Sequence, residues 1–353
     1  MLREEQVSIH NRKYLGSKYR LLDFIRETVL SNAGPVGVFI DGFSGTGVVA
    51  DHFLDFADKV ITNDLLYSNY VINKAFLEST PENTDLKKVT ELIRALNALE
   101  PVRGYAYNNY GGTYFSFRNA GLIDAIRTRI EEYSRVGACT QQEVFILLTS
   151  LVYAMDKVGN TVGQYDAYLK HLGKPSYGEN GRHLVDSNAY TRLRLKLPHL
   201  RLEGHCPCES YNEDLNLLLR RVGGDVLYLD PPYNSRQYVD CYHVLENVVS
   251  WKKPLLYGKT RKFERAHLKS LYSRKRESLL ALKDLIDQAR ANHIFLSYNS
   301  EGIIPEEKIR EILQSRGALR VFMRPYPVFG NGAGRSVKRH IEEYIYYCRV
   351  HDN

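Results

Sequence analysis

The sequence predicts an α/β fold that carries a large insertion. Short β-branched and aromatic segments alternate with segments whose apolar residues recur at helical spacing, which is the pattern of an α/β sheet. The chain has 353 residues, which is long for one domain. Between the second and third predicted strands lie about 160 residues of different character, too many for a simple crossover connection.

The predicted elements follow from these local patterns. Runs rich in β-branched and aromatic residues are predicted to be strands, at residues 36–40, 59–62, 225–229, 293–298 and 344–348. Stretches with helical apolar spacing are predicted to be helices, at residues 48–56, 277–291 and 305–316. The second strand ends at Asn63-Asp64 and the third at Asp230-Pro231-Pro232-Tyr233, so each ends at an acidic residue.

The insertion has three parts without an internal repeat. Residues 105–117 are rich in aromatic residues and glycine, a helical section follows to Lys157, and residues 170–202 are rich in Gly, Pro, Asn and basic residues.

Positive charge is concentrated in one segment. The chain has a formal net charge of +7, and residues 251–277 hold ten basic and two acidic residues, so the rest of the chain is close to neutral. A segment of this kind is either a solvated face or a strip that binds phosphates.

Composition excludes several classes of protein. No apolar run reaches the ~18 to 20 residues of a membrane helix, so we expect no membrane association. The polar first 14 residues lack the apolar segment of a secretory signal, which predicts a reducing, cytoplasmic location. The five cysteines include one close pair, in His205-Cys-Pro-Cys208, that lacks an obvious fourth ligand. We therefore predict ordinary thiols and no metal site.

The glycine-rich turn predicts a nucleoside-binding site. The sequence Asp41-Gly-Phe-Ser-Gly-Thr-Gly47 joins a strand to a helix, and its glycines allow a ligand to approach the backbone closely. Its spacing differs from that of dinucleotide-binding loops and of phosphate-binding loops, which disfavours hydride and phosphoryl transfer. Asp64, at the end of the next strand, is placed to accept hydrogen bonds from ribose hydroxyls, although a helix cap is the simpler interpretation.

The segment Asp230-Pro231-Pro232-Tyr233 is suited to a substrate amine. Two successive prolines have no N–H, so the backbone offers only acceptors, to which Asp230 adds a carboxylate. Acceptors that bind both hydrogens of a nucleobase amine draw its lone pair out of conjugation, and Tyr233 can stack on the base. A rigid loop with a packed tyrosine is the alternative.

These segments together resemble those of the D12 class of DNA adenine-N6 methyltransferases. The sequence Tyr14-Leu-Gly-Ser-Lys18 resembles the first cofactor segment of that class, and residues 39–47 resemble its glycine loop. Asn63-Asp64 resembles its ribose-binding acid, and residues 230–233 its catalytic tetrapeptide. The order of the segments also matches, with cofactor segments first, then an insertion that recognises the target, then the catalytic segment.

The resemblance implies a fold and an activity. It implies a Rossmann-like S-adenosylmethionine-dependent methyltransferase sheet, divided into a cofactor-binding half (1–80), a target-recognition insertion (81–204) and a catalytic half (205–353). It implies site-specific transfer of a methyl group from S-adenosyl-L-methionine to N6 of a flipped-out adenine in double-stranded DNA. The partner implied is a restriction endonuclease, linked by function and not necessarily by contact, and a monomer suffices to methylate one strand at a time.

The resemblance also implies roles for individual residues. The catalytic residues are Asp230, Pro231, Pro232 and Tyr233. The cofactor-binding residues are Tyr14, Lys18, Asp41, Phe43, Gly45, Gly47, Asp64, Tyr211 and Asp230. Asp41-Gly42-Phe43 stands where the class often has Glu-Pro-Phe, and the acid that should follow Tyr211 is either Glu213 or Asp214.

Contacts with nucleic acid are expected from the insertion and from the basic segment. The candidate residues are Tyr110, Tyr114, Arg118, Arg182, Arg192, Arg194, Lys252, Lys253, Arg261 and Lys262. Three alternative functions remain open at this stage: methylation of cytosine N4 in DNA, methylation of adenine in RNA, and DNA binding by a catalytically dead homologue.

Overall fold

The computed structural model describes residues 6–170, 187–329 and 338–351 of the chain. Its strands are β1 Val36–Asp41, β2 Ala57–Asn63, β3 Cys208–Tyr211, β4 Gly223–Leu229, β5 Arg290–Asn299, β6 Gly317–Phe329 and β7 Lys338–Val350. Its α-helices are α1 Leu22–Ala33, α2 Val48–Phe53, α3 Tyr67–Leu77, α4 Leu86–Asn97, α5 Tyr105–Tyr110, α6 Phe117–Arg135, α7 Gln141–Val158, α8 Leu215–Leu218, α9 Tyr238–Ser250, α10 Ser278–Gln288 and α11 Glu306–Gln314.

The strands form one mixed sheet in the order β3-β2-β1-β4-β5-β7-β6. The first five strands in this order are parallel, and β7 runs antiparallel to both β5 and β6. Ile40 of β1 pairs with Ile61 of β2 on one side and with Leu227 of β4 on the other. The chain order therefore reverses between β1 and β4, which is where ligands bind in open α/β sheets.

The α/β fold class and each predicted strand and helix are confirmed, with small shifts at the ends. Two strands were not predicted. The short strand β3 has the sequence Cys-Glu-Ser-Tyr, which is too polar to read as a strand, and β6 contains Pro325 and Pro327. Prolines argue against a central strand but are accepted in an edge strand, which is the position that β6 occupies.

The chain divides into two compact units. The sheet unit consists of Lys18–Leu65, His205–Tyr238 and Lys269–Asn353, and the helical unit of Met1–Ser17, Leu66–Gly204 and Val239–Leu268. The functional division at residues 80 and 204 stays a prediction.

The core of the sheet unit lies between the strands and the helices that follow them. Ile40, Leu227 and Ile294 of the central strands are fully buried and belong to one apolar cluster with Leu285 of α10 and Leu313 of α11. Each such side chain contributes about 1.5–3 kcal/mol to stability through burial. The strong apolar character of the central strands thus has its origin in burial on both faces.

The helical unit is built around α7. This helix begins at a capping box, in which the Thr140 hydroxyl accepts from the amide of Glu143 and the Glu143 carboxylate accepts from the amide of Thr140. Residues 144–155 that follow are all buried. None of the helices in the described ranges combines the length and apolar character needed to cross a membrane.

A buried ion pair joins the N-terminal segment to the helices of this unit. Arg12 is 6% exposed, and its Nε donates to Asp156 Oδ2 at 3.1 Å while its Nη1 donates to Asn69 Oδ1 at 2.8 Å. The guanidinium also lies about 5 Å from the ring centroids of Tyr14 and Tyr242. The segment that contains Tyr14 is thereby held against α3, α7 and α9.

Replacing Arg12 with Met is expected to lower the free energy of unfolding by about 3–5 kcal/mol, because Asp156 is left buried without its cation. Urea denaturation measures this loss. The control is Arg129→Met, which removes an ion pair with Glu132 whose two side chains are nearly half exposed, and it should cost less than about 1 kcal/mol. Equal losses for the two variants would contradict the assignment.

Candidate active site

Three segments meet at the carboxyl edge of the sheet. The glycine-rich loop follows β1, Asn63 and Asp64 close β2, and Asp230 follows β4. The amide of Ser44 donates to Asn63 O at 3.0 Å, and that of Gly42 donates to Tyr228 O at 3.0 Å. The loop is therefore tied to both neighbouring strand ends.

Two glycines of this loop have backbone conformations that other residues rarely adopt. Gly45 has φ 52° and Gly47 has φ 83°, and Gly47 is the N-cap of α2, directly before its first residue Val48. The amide of Gly45 donates to Asp64 Oδ2 at 3.0 Å. Asp64 thus fixes the loop with one of its carboxylate oxygens.

The structure accounts for glycine at position 42, where the resemblance would favour proline. A Cβ there would lie 2.6 Å from Leu215 Cδ2 and 3.1 Å from Leu229 Cδ2. The hydrogen bond from Gly42 N to Tyr228 O also requires an N–H, which proline lacks.

Asp41 is a buried carboxylate without a side-chain hydrogen-bond partner. Its side chain is 1% exposed, and among the described residues no side chain donates to either carboxylate oxygen. Burial raises the pKa of Asp41 well above its usual value, and the nearby charges of Asp230 and Asp64 raise it further, while the backbone amide of Ala50 lowers it in part. Two acceptor oxygens inside the glycine loop are therefore available to a ligand that brings donors.

Asp230 forms a buried ion pair with Lys18. Lys18 Nζ lies 2.9 Å from Asp230 Oδ1, and the Lys18 side chain is 6% exposed. Burial opposes the charge on Lys18, but the attraction of Asp230 and then of Glu343 outweighs it, so the pKa of Lys18 is raised well above its usual value. Burial also raises the pKa of Asp230, which the Lys18 charge counteracts.

Tyr233 is half-buried beside this pair. Its ring centroid lies 5.8 Å from Lys18 Nζ and 6.4 Å from the Tyr298 ring in an edge-on arrangement, and its carbonyl accepts from the amide of Ile303 at 2.9 Å. Position 302 must be glycine, because a Cβ there would overlap the Tyr298 ring. The loop after β5 thus packs against Tyr233 and hydrogen-bonds to its backbone.

The segment after β3 lies next to Asp64. The amide of Asp64 donates to Tyr211 O at 3.2 Å, and the Tyr211 hydroxyl donates to Glu209 Oε1 at 2.5 Å. Of the two acids that follow, Glu213 pairs with Arg221, and Asp214 accepts from the amide of Asn216 and so caps α8. Neither contact decides which acid would face a cofactor.

The remaining cofactor candidates are placed as follows. Phe43 is half-buried, and its ring meets the edge of the Tyr272 ring at 5.0 Å. Tyr14 belongs to the helical unit, where it stacks on Tyr242 at 4.8 Å and its hydroxyl accepts from Asn69 Nδ2 at 3.0 Å.

The cationic candidates for nucleic-acid contact differ in exposure. The side chains of Arg118, Arg194, Lys252, Lys253 and Arg261 are exposed. Arg192 is half-buried and donates to Leu99 O at 2.7 Å, and Lys262 is half-buried beside Asp240 at 3.5 Å. Arg182 lies outside the described residues.

Two tyrosines expected at a nucleic-acid surface lie instead in the interior. Tyr110 and Tyr114 are 0% exposed. The Tyr110 hydroxyl accepts from Asn247 Nδ2 at 2.6 Å, and the Tyr114 hydroxyl donates to the carbonyl oxygens of Tyr165 and Thr260. Both rings pack inside the helical unit, so they offer no surface to bases, and we leave them out of the proposed interface.

Sequence reasoning did not find Glu343. This residue of β7 pairs in register with Asn299 of β5, is 8% exposed, and its Oε2 has no hydrogen-bond partner among the described residues. It raises the pKa of Lys18, so it belongs to the same charged cluster as Asp230. The available signal was an acidic pair, Glu342-Glu343, directly before the apolar run 344–348. Within the described ranges no group of three His, Cys, Asp or Glu side chains is arranged to hold a metal ion.

Comparisons with known proteins identify the family and several relatives of the chain. Residues 14–312 match the model of the family described as D12 class N6 adenine-specific DNA methyltransferase. The chain is 36% identical to type II methyltransferase M.FokI of Planomicrobium okeanokoites, over 96% of this chain and 52% of that protein. It is 36% identical to modification methylase StsI of Streptococcus sanguinis, with the same coverage, and 34% identical to type II methyltransferase M.NlaIII of Neisseria lactamica, over 90% of this chain and 92% of that protein. The chain thus spans about half the length of the first two relatives.

Replacing Asp41 with Asn is expected to raise the melting temperature of the ligand-free protein. Leaving a buried polar group without partners costs about 1–3 kcal/mol, and the amide removes the buried charge. Because the folded-state pKa of Asp41 is raised, its ionisation weakens the folded state only above the usual pKa of 3.8. The gain should therefore be absent in acid and should grow as the pH rises to neutrality.

Thermal unfolding across that pH range tests this expectation. Asp23→Asn on α1 is the control, since the Asp23 side chain is 74% exposed, and it should leave the melting temperature unchanged. A lower melting temperature for Asp41→Asn at neutral pH would contradict the view that the Asp41 charge weakens the folded state.

Proposed function

The chain belongs to the D12 class of N6 adenine-specific DNA methyltransferases, and from this premise we propose that it methylates N6 of an adenine flipped out of double-stranded DNA. The observation that carries the proposal is the carboxylate of Asp230 at the end of β4, one strand away from the unpartnered carboxylate of Asp41. The family implies S-adenosylmethionine as the methyl donor. The relatives are named type II methyltransferases and modification methylases, which supports a role as the modification component of a restriction-modification system in the cytoplasm.

The residues at the carboxyl edge fit this cofactor. The free oxygens of Asp41 suit the hydrogen-bond donors of the cofactor, and Asp64 suits its ribose hydroxyls. Gly45 and Gly47 keep the loop open to close approach, and Phe43 and Tyr211 offer apolar surface. When bound, the cofactor supplies an electrophilic methyl group on a sulfonium whose sulfur leaves as a neutral thioether.

The protein activates the adenine amine by accepting its two hydrogens. Asp230 accepts a hydrogen bond from one N–H and the carbonyl of Pro231 from the other, which frees the nitrogen lone pair for attack on the methyl carbon. The proton that the methylated amine then loses passes by way of the Asp230 carboxylate to solvent. Lys18 counteracts the rise in the pKa of Asp230 that burial causes, so the ion pair favours the carboxylate form that accepts hydrogen bonds. Neither metal nor covalent catalysis is needed in this scheme, because orientation and fixed charges supply the catalytic effect.

Tyr233 holds the base in this scheme. Its aromatic ring is half-buried between Lys18 and Tyr298, and the rigid Pro231-Pro232 pair and the Ile303 amide fix its backbone. Stacking on such a ring is how enzymes keep an extruded base from returning to the helix. Lys18 and Tyr14 complete the set of residues that we propose to border the cofactor.

Exposed cations of the helical unit hold the DNA backbone. We assign this role to Arg118, Arg194, Lys252, Lys253 and Arg261, which are exposed. Arg182, Arg192 and Lys262 keep the same role as sequence predictions, two of them half-buried and Arg182 outside the described residues. Phosphate contacts of this kind contribute affinity and orientation without reading sequence. One copy of the chain serves one strand at a time, so we propose a monomer. A restriction endonuclease with the same target would be its functional partner.

The central test is to incubate the protein with S-adenosylmethionine labelled in the methyl group and with unmethylated genomic DNA, then to digest the DNA to nucleosides. Label in N6-methyldeoxyadenosine is the expected result. Label in N4-methyldeoxycytidine would assign the pocket to cytosine. Absence of label in DNA, with cofactor binding demonstrated by calorimetry, would overturn the proposal and lead to the same assay on RNA.

Replacing Asp230 with Asn is expected to lower the rate of methyl transfer at least about 10²- to 10³-fold, because the amide cannot accept from the adenine amine as a carboxylate does. Affinity for duplex DNA should stay within about threefold of that of the unchanged protein. Single-turnover rates and fluorescence anisotropy measure the two quantities. Asp287→Asn on the exposed face of α10 is the control. A variant that retains most of its rate would remove Asp230 from the mechanism.

Replacing Lys252, Lys253 and Arg261 together with Ala is expected to weaken binding to all duplexes alike. Each lost phosphate contact reduces the slope of log Kd against log salt by about 0.9. Titrations at several salt concentrations measure the slope. Arg135→Ala, at the exposed end of α6, removes a cation from the same unit and should leave the slope as it is. An unchanged slope for the triple variant would place the DNA elsewhere.

A further inference from the structure

We propose that the loop of residues 251–262 is a preformed base-contacting element, in which Leu255 and Tyr257 make an apolar contact with the bases of duplex DNA. The neighbouring cations hold the flanking phosphates. This inference rests on the proposed function, and it goes further by naming an element that the charge pattern alone does not reveal.

Leu255 has an unusual exposure for a large apolar side chain. It is 85% exposed, more than any other large apolar side chain in the described part of the chain, and Tyr257 is 53% exposed. A single exposed leucine needs no explanation by itself. Here, however, the two residues lie within a segment whose other exposed side chains include Lys252, Lys253, Lys259 and Arg261.

The backbone of the loop is held in a defined shape. Trp251, Lys253 and Arg261 have φ near +52°, a conformation that non-glycine residues adopt only when their surroundings enforce it. Tyr257 and Lys262 exchange two backbone hydrogen bonds, of 2.8 and 3.1 Å. The loop is therefore closed on itself at its tip.

The side chains of Tyr105, Tyr114 and His243 hydrogen-bond to the backbone of the loop. The Tyr105 hydroxyl donates to Pro254 O at 2.5 Å, and Thr260 O receives both the Tyr114 hydroxyl at 3.0 Å and His243 Nε2 at 2.8 Å. Nδ1 of the same ring lies 3.1 Å from the carbonyl oxygen of Asp240, so His243 joins the loop to the start of α9. Burial lowers the pKa of His243 to about 4, so the ring is neutral at physiological pH.

The base of the loop is anchored by Trp251. The Arg127 guanidinium lies 5.5 Å from the Trp251 ring centroid, and its Nε and Nη2 donate to the carbonyls of Val248 and Val249 at the end of α9. The Tyr105 ring meets the Trp251 ring edge-on at 6.2 Å. Arg127 is itself buried, at 3% exposure.

A loop fixed in this way loses little conformational freedom on binding, so its exposed apolar side chains can contribute directly to affinity. Duplex DNA is the partner that fits both properties. Its phosphates match the exposed cations, and its grooves present thymine methyl groups and base steps that apolar side chains contact. A partner that offered charge alone would leave Leu255 and Tyr257 in water.

The test separates apolar contact from charge. We would compare Leu255→Ala with the unchanged protein for binding to a duplex and to inorganic polyphosphate, which carries phosphate charges but no bases, over a series of salt concentrations. We expect the variant to bind the duplex about tenfold more weakly with the same salt slope, and to bind polyphosphate unchanged. Lys259→Ala should weaken both interactions and reduce the slope.

Two controls protect the interpretation. Val136→Ala changes another exposed apolar residue of the same unit, 69% exposed, and should leave both affinities unchanged. Leu255→Met should bind like the unchanged protein, and all variants should melt at the same temperature because the side chain is in solvent. A Leu255→Ala variant that binds the duplex normally, or that loses polyphosphate affinity equally, would overturn the inference.

The inference about the loop and the proposed function can fail separately. If the unchanged protein methylates adenine in DNA and Leu255→Ala binds and methylates equally well, only the inference fails. If the unchanged protein transfers no label to DNA but Leu255→Ala still loses duplex affinity alone, the loop is a base-contacting element on a protein whose activity has been misassigned.

Discussion

Parallel pairing of β2, β1 and β4 is the constraint on which the rest of the site depends. Parallel strands bring their carboxyl ends to one edge, and here the chain leaves that edge in opposite directions from β1 and from β4. Asp41 is the last residue of β1, and Asp64 and Asp230 directly follow β2 and β4, so all three lie at this edge although Asp230 is remote in sequence. Backbone hydrogen bonds from Gly42 and Ser44 then tie the connecting loop to both neighbours, so the acids are held by the sheet and not by one another.

The carboxylates of Asp41 and Asp230 have different surroundings. Asp230 has a cation at hydrogen-bonding distance, whereas no side chain among the described residues donates to Asp41. Two buried carboxylates so close together weaken the folded state, and one lysine compensates for only one of them. The folded state is thus less stable at this position. A ligand that carries hydrogen-bond donors and positive charge would compensate for the buried carboxylates.

The sequence predicts structure where a whole segment is buried, because the segment is then continuously apolar. It does not predict burial that depends on contacts with residues far away in the chain. Strands β1, β2 and β4 are recognisable because burial on both faces makes them continuously apolar, and their acidic ends are therefore visible as well. Tyr110 and Tyr114 resemble exposed aromatic residues, because nothing local indicates that Asn247 and Thr260 lie beside their hydroxyls. Glu343 joins the site only through the pairing of β7 with β5, a contact between residues more than forty positions apart.

The prolines of β6 have a consequence for how the molecule behaves in a crowded solution. Strand β6 ends the sheet, and an open strand can recruit strands of other molecules through its free N–H groups. Pro325 and Pro327 offer no N–H, and Arg320 and Arg324 add charge along the same strand. The prolines that obscure β6 from sequence analysis therefore also protect its edge from pairing with strands of other molecules.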